Sequence, residues 1–113
     1  MWVVYGIKNC DSVKKARNWL EAQAISYRFH DYREDGLDTE LVQHFIDQLG
    51  LEVILNQRST SWRQLDPAQK QNLTPDQALQ LLVTVPTLIK RPILDTGTQL
   101  LVGFSPDLYR NRL

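Results

Sequence analysis

The chain lacks a second cysteine. Cys10 is the single thiol among 113 residues, so an internal disulfide is impossible and any partner thiol must come from another molecule. Histidine is scarce as well: His30 and His44 lie far apart with no ligand spacing, which leaves no pattern for a metal. No stretch approaches the ~18 apolar residues of a membrane span. The N-terminal apolar run stops at Lys8, without a basic leader or a small-residue cleavage site. Charge of neither sign is in excess. Thirteen basic residues balance thirteen acidic ones without long blocks, which removes any general electrostatic case for nucleic acid or a membrane surface. Repeats, linkers and low-complexity segments are also missing.

What is present is ordinary for a globular chain. Hydrophobic residues make up 42% and charged residues 23%, and the length suits one domain over 1–113 with a core that needs no staples. An unpaired cysteine and no signal peptide point to the reducing cytoplasm.

Trp2, Val3, Val4 and Tyr5 are aromatic or β-branched and suit a strand buried on both faces, which Gly6 and Lys8-Asn9 break. From there the apolar residues fall at Val13, Ala16, Leu20 and Ala24, so a helix is expected from Asp11 or Ser12. Ile25 to Asp31 alternates, with Ile25, Tyr27 and Phe29 on one face and Ser26, Arg28 and His30 on the other, which predicts a second strand. Two strands joined by one helix form a βαβ unit with parallel strands and a right-handed crossover. Asp38 is placed to cap a helix carrying Leu41, Val42, Phe45, Ile46 and Leu49, with Gly50 as its stop. Val53 to Gln69 shows no clear period. Thr74-Pro75-Asp76-Gln77 has the form of a capping box with proline at the first helical position, opening a helix that Pro86 ends. Ile93-Leu94 and Leu100-Leu101-Val102 flank the turn residues Asp95 to Thr98 as a hairpin, and Ser105-Pro106 caps a short last helix.

This order places Cys10 at the turn between the first strand and the first helix. A lone cysteine is commonly a small buried hydrophobe. Here Lys8, Asn9, Asp11 and Ser12 flank it, which suits a partly exposed loop. Unpaired N–H groups and the positive end of the helix dipole favour an anion at that position, which lowers a thiol pKa and makes the thiolate available. Asp11 acts in the opposite sense, because a neighbouring carboxylate raises a thiol pKa.

Four segments in sequence, YGIKNCDSVKKARNWL, FHDYREDGL, LNQRSTSWR and TVPTLIKRPIL followed by LVGFSPD, resemble the arsenate reductase (ArsC) family. The resemblance is greatest to its small glutaredoxin-like branch, often called YffB, and spans essentially the whole chain. It implies an α/β fold of the thioredoxin-like (glutaredoxin-like) kind: a four-stranded mixed sheet with a helical insertion after the βαβ unit, at about 38–85. It further implies that Cys10 is the nucleophile, and that Arg58 and Arg91 reach toward it from the insertion and from the loop before the third strand. Two guanidiniums beside a thiolate stabilise S⁻ and offer planar donors to an oxyanion or a glutathione carboxylate. The ordinary alternative for each arginine is a surface ion pair. Pro92 resembles the cis-proline that faces the cysteine in this fold and presents backbone to an extended thiol substrate; the alternative is an edge-strand proline. Lys8 and Lys14 add positive potential near the thiol. Asn9 and Ser12 either donate hydrogen bonds to the sulfur or its adduct, or serve as capping and turn residues. Trp2, Trp19 and Trp62 read as packing.

Two departures from the resembled family bear on substrate. Classical members carry a histidine four residues before the nucleophile and a third arginine at the end of the last strand, where this chain has Gly6 and Gly103-Phe104. The site should therefore hold a tetrahedral oxyanion less well. The Spx regulators share the Gly-aromatic pattern but commonly carry a second cysteine where Val13 stands here. The expected function is a glutathione-dependent thiol oxidoreductase with one nucleophilic cysteine, glutathione as co-substrate, and no metal, nucleic-acid or membrane partner, acting as a monomer. Two alternatives remain: an arsenate reductase that forms a Cys10–arsenate adduct, and an Spx-like non-catalytic protein that docks on RNA polymerase.

Overall fold

The computed structural model describes residues 1–71 and 73–112. The chain divides into two compact units, one formed by residues 1–36 and 91–113, the other by residues 37–90.

The first unit holds the sheet. Strand β1 (Trp2–Gly6) is followed by helix α1 (Asp11–Ala22) and strand β2 (Tyr27–Asp31); β3 (Ile93–Asp95), β4 (Leu100–Val102) and helix α7 (Pro106–Arg110) close the unit. The sheet is four-stranded and mixed, in the order β2-β1-β3-β4. β1 pairs parallel to β2 with Gly6 opposite Asp31, and antiparallel to β3 with Tyr5 opposite Ile93. β1 is paired on both sides and its residues Val4, Tyr5 and Gly6 are all buried, which is why its apolar run does not alternate. One face packs on α1 and α7, where Val4, Ala16, Leu20, Leu94, Leu101 and Tyr109 form a buried cluster with Trp2, Trp19, Tyr27 and Phe29 against it. Burying each of the large aliphatic side chains Val4, Leu20 and Leu94 contributes roughly 1.5–3 kcal/mol.

β2 begins at Tyr27, two residues later than the alternation suggests. The chain leaving α1 must first reverse. Ala24 takes a left-handed φ of 57°, and the Ile25 N–H donates to the Leu20 carbonyl at 3.0 Å, so Ile25 completes the helix end before the strand starts. The hairpin turn is also one residue later than expected. Asp95 belongs to β3, where it pairs with both Val3 and Leu100, and its carboxylate accepts the Gly97 N–H at 2.7 Å inside the turn.

The second unit is helical: α2 (Thr39–Leu49), α3 (Leu51–Ile54), α4 (Thr60–Arg63), α5 (Pro67–Lys70) and α6 (Pro75–Thr84), then a 3₁₀ turn at Pro86–Leu88. Asp38 caps α2 by accepting the Leu41 N–H at 2.8 Å, and Gly50 ends it at φ 91°. Thr74 and Gln77 close a reciprocal capping box on α6. The stretch without a period, Val53 to Gln69, contains helices of a single turn, of which α4 is capped by Ser59 on Trp62 and α5 by Asp66 with Gln69. One turn shows too few residues to display 3.6-residue spacing. An isolated bridge, Leu55 with Ile89, ties the residue after α3 to the end of this unit.

Candidate functional site

Cys10 occupies the N-cap of α1 with extended backbone, φ −132° and ψ 123°, and its carbonyl accepts the Lys14 N–H at 3.0 Å. Asp11 opens the helix. The thiol is half-buried. Sγ makes no formal cap hydrogen bond, yet it lies close enough to the first-turn amides for them to act on its charge. Burial alone pushes the thiol pKa up. The Val13 N–H, the Arg91 guanidinium through a hydrogen bond and its charge, and the Ser12 N–H together outweigh burial, and the net shift is downward.

Arg91 comes from the far side of the helical unit in sequence but belongs to the sheet unit, immediately before β3. The Arg91-Pro92 bond is cis. Pro92 is buried, and its carbonyl accepts the Gly103 N–H at 2.8 Å. Because β3 lies between β1 and β4, Pro92 opens an interior strand; the edge-strand reading is corrected by this order. A proline is tolerated there because it sits before the first ladder pair, Ile93 with Tyr5 and Val102.

The other expected residues have different surroundings. Lys8 is exposed and its ammonium is ion-paired with Glu34 at 2.6 Å. Asn9 lies exposed in the turn before Cys10, and Ser12 and Lys14 are exposed on the first turn of α1. Arg58 belongs to the helical unit, in the turn before α4, where its N–H donates to Asn56 Oδ1 at 3.2 Å and its carbonyl accepts from Arg63 at 3.0 Å. Among residues of one unit, then, the structure brings Cys10, Ser12, Val13 and Arg91 together, with Pro92 next to Arg91 in the chain. Among the described residues, no three His, Cys, Asp or Glu side chains gather where a metal could sit.

Of the two positions where the chain departs from the classical pattern, Gly6 has a steric explanation. A Cβ added at Gly6 would lie 2.7 Å from Cγ2 of Val13, which is fully buried, so β1 meets α1 there at a separation only glycine allows. Gly103 has φ 81°, and the Phe104 ring packs edge-on against Tyr109 with centroids 4.9 Å apart.

Sequence reasoning gave no role to Asp31 and Tyr32, although both fall within FHDYREDGL. Asp31 is 3% exposed and accepts backbone N–H groups from Lys8, Arg33 and Glu34. Tyr32 is equally buried, its hydroxyl has no hydrogen-bond partner among the described residues, and it lies near enough to Arg91 to feel its charge. Burial drives the Tyr32 phenol pKa far upward, against the opposing influence of Arg91. The available signal was a carboxylate closing an alternating strand, a position where a charge needs a partner.

The ArsC family model matches residues 5–112. An uncharacterized protein of Haemophilus influenzae is 47% identical over 110 residues, covering 97% of this chain and 96% of its own. The solved structure of a YFFB protein superposes with a TM-score of 0.93 at 43% identity, covering 98% of this chain and 97% of that one. An arsenate reductase (ArsC) related protein of Brucella melitensis gives a TM-score of 0.79 at 41% identity over 97% and 92% of the two chains. Relatives of lower identity include global transcriptional regulators named Spx.

Proposed function

The chain belongs to the ArsC family, and from that premise we propose that it is a thiol oxidoreductase working through Cys10 alone, with glutathione as co-substrate. One observation carries the reading: Sγ of Cys10 sits at the start of α1 with the Arg91 guanidinium hydrogen-bonded to it and a thiol pKa below its ordinary value. The Cys10 thiolate attacks the glutathione sulfur of a mixed disulfide RS–SG, forming Cys10–S–SG and expelling RS⁻, which takes a proton from water. Glutathione thiolate then attacks the Cys10 adduct, restoring the Cys10 thiolate and leaving oxidised glutathione. With no second cysteine in the chain, the resolving thiol is external. Arg91 stabilises the thiolate before attack and again when it is the leaving group. Lys8 and Lys14 supply positive charge for the glutathione carboxylates, Asn9 and Ser12 offer donors to the adduct, and Pro92 presents backbone to the peptide.

Incubation with oxidised glutathione tests this. Mass spectrometry should find one glutathione per chain, and none on Cys10→Ser. An adduct on the variant, or none on the wild type, overturns the reading.

The name of the Brucella melitensis relative favours arsenate as a second substrate. Arsenate reduction assayed with glutathione decides it; Gly6 and Phe104 leave the site without the extra imidazole and guanidinium an oxyanion would use. The Spx relatives raise a non-catalytic alternative, which co-purification with RNA polymerase would support.

A further inference from the structure

We propose that Asp31 is a positioning residue for Cys10: its buried carboxylate fastens the loop that carries the thiol to the end of β2. The proposal rests on Cys10 being the reactive group, as inferred above.

A buried carboxylate is costly unless its oxygens are satisfied. Asp31 is 3% exposed, and no cation forms an ion pair with it among the described residues. Backbone donors satisfy it instead. Oδ1 accepts the Arg33 N–H at 2.8 Å and the Glu34 N–H at 3.4 Å, inside the turn that follows β2. Oδ2 accepts the Lys8 N–H at 3.3 Å, in the loop between β1 and α1. The backbone closes the same junction: Gly6 is opposite Asp31 in the sheet, the Tyr32 N–H donates to the Gly6 carbonyl at 2.9 Å, and the Asp31 N–H is held by Asp35 Oδ2 at 2.9 Å.

Only Ile7, Lys8, Asn9 and Cys10 lie between the end of β1 and the first residue of α1. The strand fixes one end of this segment and the helix the other. Asp31 fixes its middle. Held there, Cys10 keeps the extended backbone that turns Sγ toward the Val13 and Ser12 N–H groups and the Arg91 guanidinium. The chemistry asks for a carboxylate, because both oxygens accept. An asparagine has one acceptor oxygen and can serve Lys8 or the turn, while its NH₂ would face the other donor.

The sign of one measurement separates the possibilities. If Asp31 acted only through its charge, Asp31→Asn would remove a negative group near a thiolate, lower the Cys10 pKa and speed alkylation. If it positions the loop, the same change loosens Sγ from its donors. The Cys10 pKa, followed by thiolate absorbance against pH, then rises. Iodoacetamide alkylation below pH 7 slows about twofold or more, the smaller thiolate fraction being partly offset by a more basic nucleophile. Glu34→Gln, which breaks the Lys8 ion pair but leaves Asp31 in place, is the control and should leave the pH profile where it was. A lowered pKa in Asp31→Asn, or an unchanged one accompanied only by lost stability, overturns the proposal. If Asp31→Asn does not fold, hydrogen exchange on the wild-type chain decides: the Lys8 amide should be protected, and exchange at the rate of an open loop overturns the assignment. Wild-type adduct formation with oxidised glutathione, run in parallel, reports separately on whether Cys10 is the nucleophile.

Discussion

The guanidinium of Arg91 donates a hydrogen bond to Sγ of Cys10, although the two residues come from opposite ends of the sheet unit and flank the whole helical unit in sequence. A guanidinium is charged at every accessible pH, so it favours the thiolate and leaves the neutral thiol unaffected. Arg91→Ala should raise the Cys10 pKa and slow its alkylation below pH 7 by a factor on the order of 3–10. Stopped-flow or quenched alkylation followed by mass spectrometry measures it. An unchanged rate means the arginine does not act on the sulfur.

The same pairing links the thiol to stability. A thiol whose folded pKa is depressed ionises first in the folded state, so stability rises with pH between the folded and unfolded pKa values and is fully present above the unfolded one, near the ordinary 9.0. It is lost as pH falls through the folded value. Thermal unfolding of wild type and Cys10→Ser, compared from pH 6 to 9.5, should show a Tm difference that moves in favour of the wild type as pH rises. A difference that is flat or moves the other way contradicts a depressed pKa.

Gly6 and Val13 make a sharper steric case. A Cβ at residue 6 would stand 2.7 Å from Val13 Cγ2, and Val13 is β-branched and fully buried, with little freedom to give way. Gly6→Ala should cost about 1–3 kcal/mol, read from urea unfolding. In the Gly6→Ala background, Val13→Ala should cost less than it does alone, because it removes the clash as well as the packing. Additive costs would place the strain elsewhere.

Tyr32 offers a test with the opposite sign. Its hydroxyl is buried without a hydrogen-bond partner among the described residues, a situation that costs about 1–3 kcal/mol relative to a satisfied group. Tyr32→Phe keeps the ring and removes the orphan, so stability should hold or increase by up to about 1 kcal/mol. A clear loss would reveal a buried water or another partner for the oxygen.

Much of both units was legible in the sequence because the signals are local. The run at Trp2–Tyr5, the spacing of Val13, Ala16 and Leu20, and the caps at Asp38 and Thr74 each report on a few adjacent residues, and those elements lie where their residues indicate. The thiol at the helix start was legible for the same reason. The single-turn helices between Leu51 and Lys70 were not, since no period develops in four residues. Asp31 and Tyr32 were silent because their roles depend on register: a carboxylate becomes an anchor for Lys8 only once β2 has paired with β1 so that Gly6 faces it. Gly6 looked like a strand breaker and is a close approach between strand and helix, which needs the orientation of α1 to be seen. The resemblance to a family supplied Arg91 and the cis bond at Pro92, which no local pattern could have paired with a cysteine so distant in the chain.

The strand order also sets a schedule for synthesis. Cys10 leaves the ribosome with β1, α1 and β2, and these can assemble into a parallel pair with the thiol at the head of a helix. The guanidinium that completes the site belongs to residue 91, and β3, which fills the other side of β1, follows it. Residues 37–90 must all be polymerised in between. During that interval the thiol has amide donors and no arginine, so it is less ionised than with Arg91 in place. Arg91 can act on the thiol only after residues 37–90 have been made.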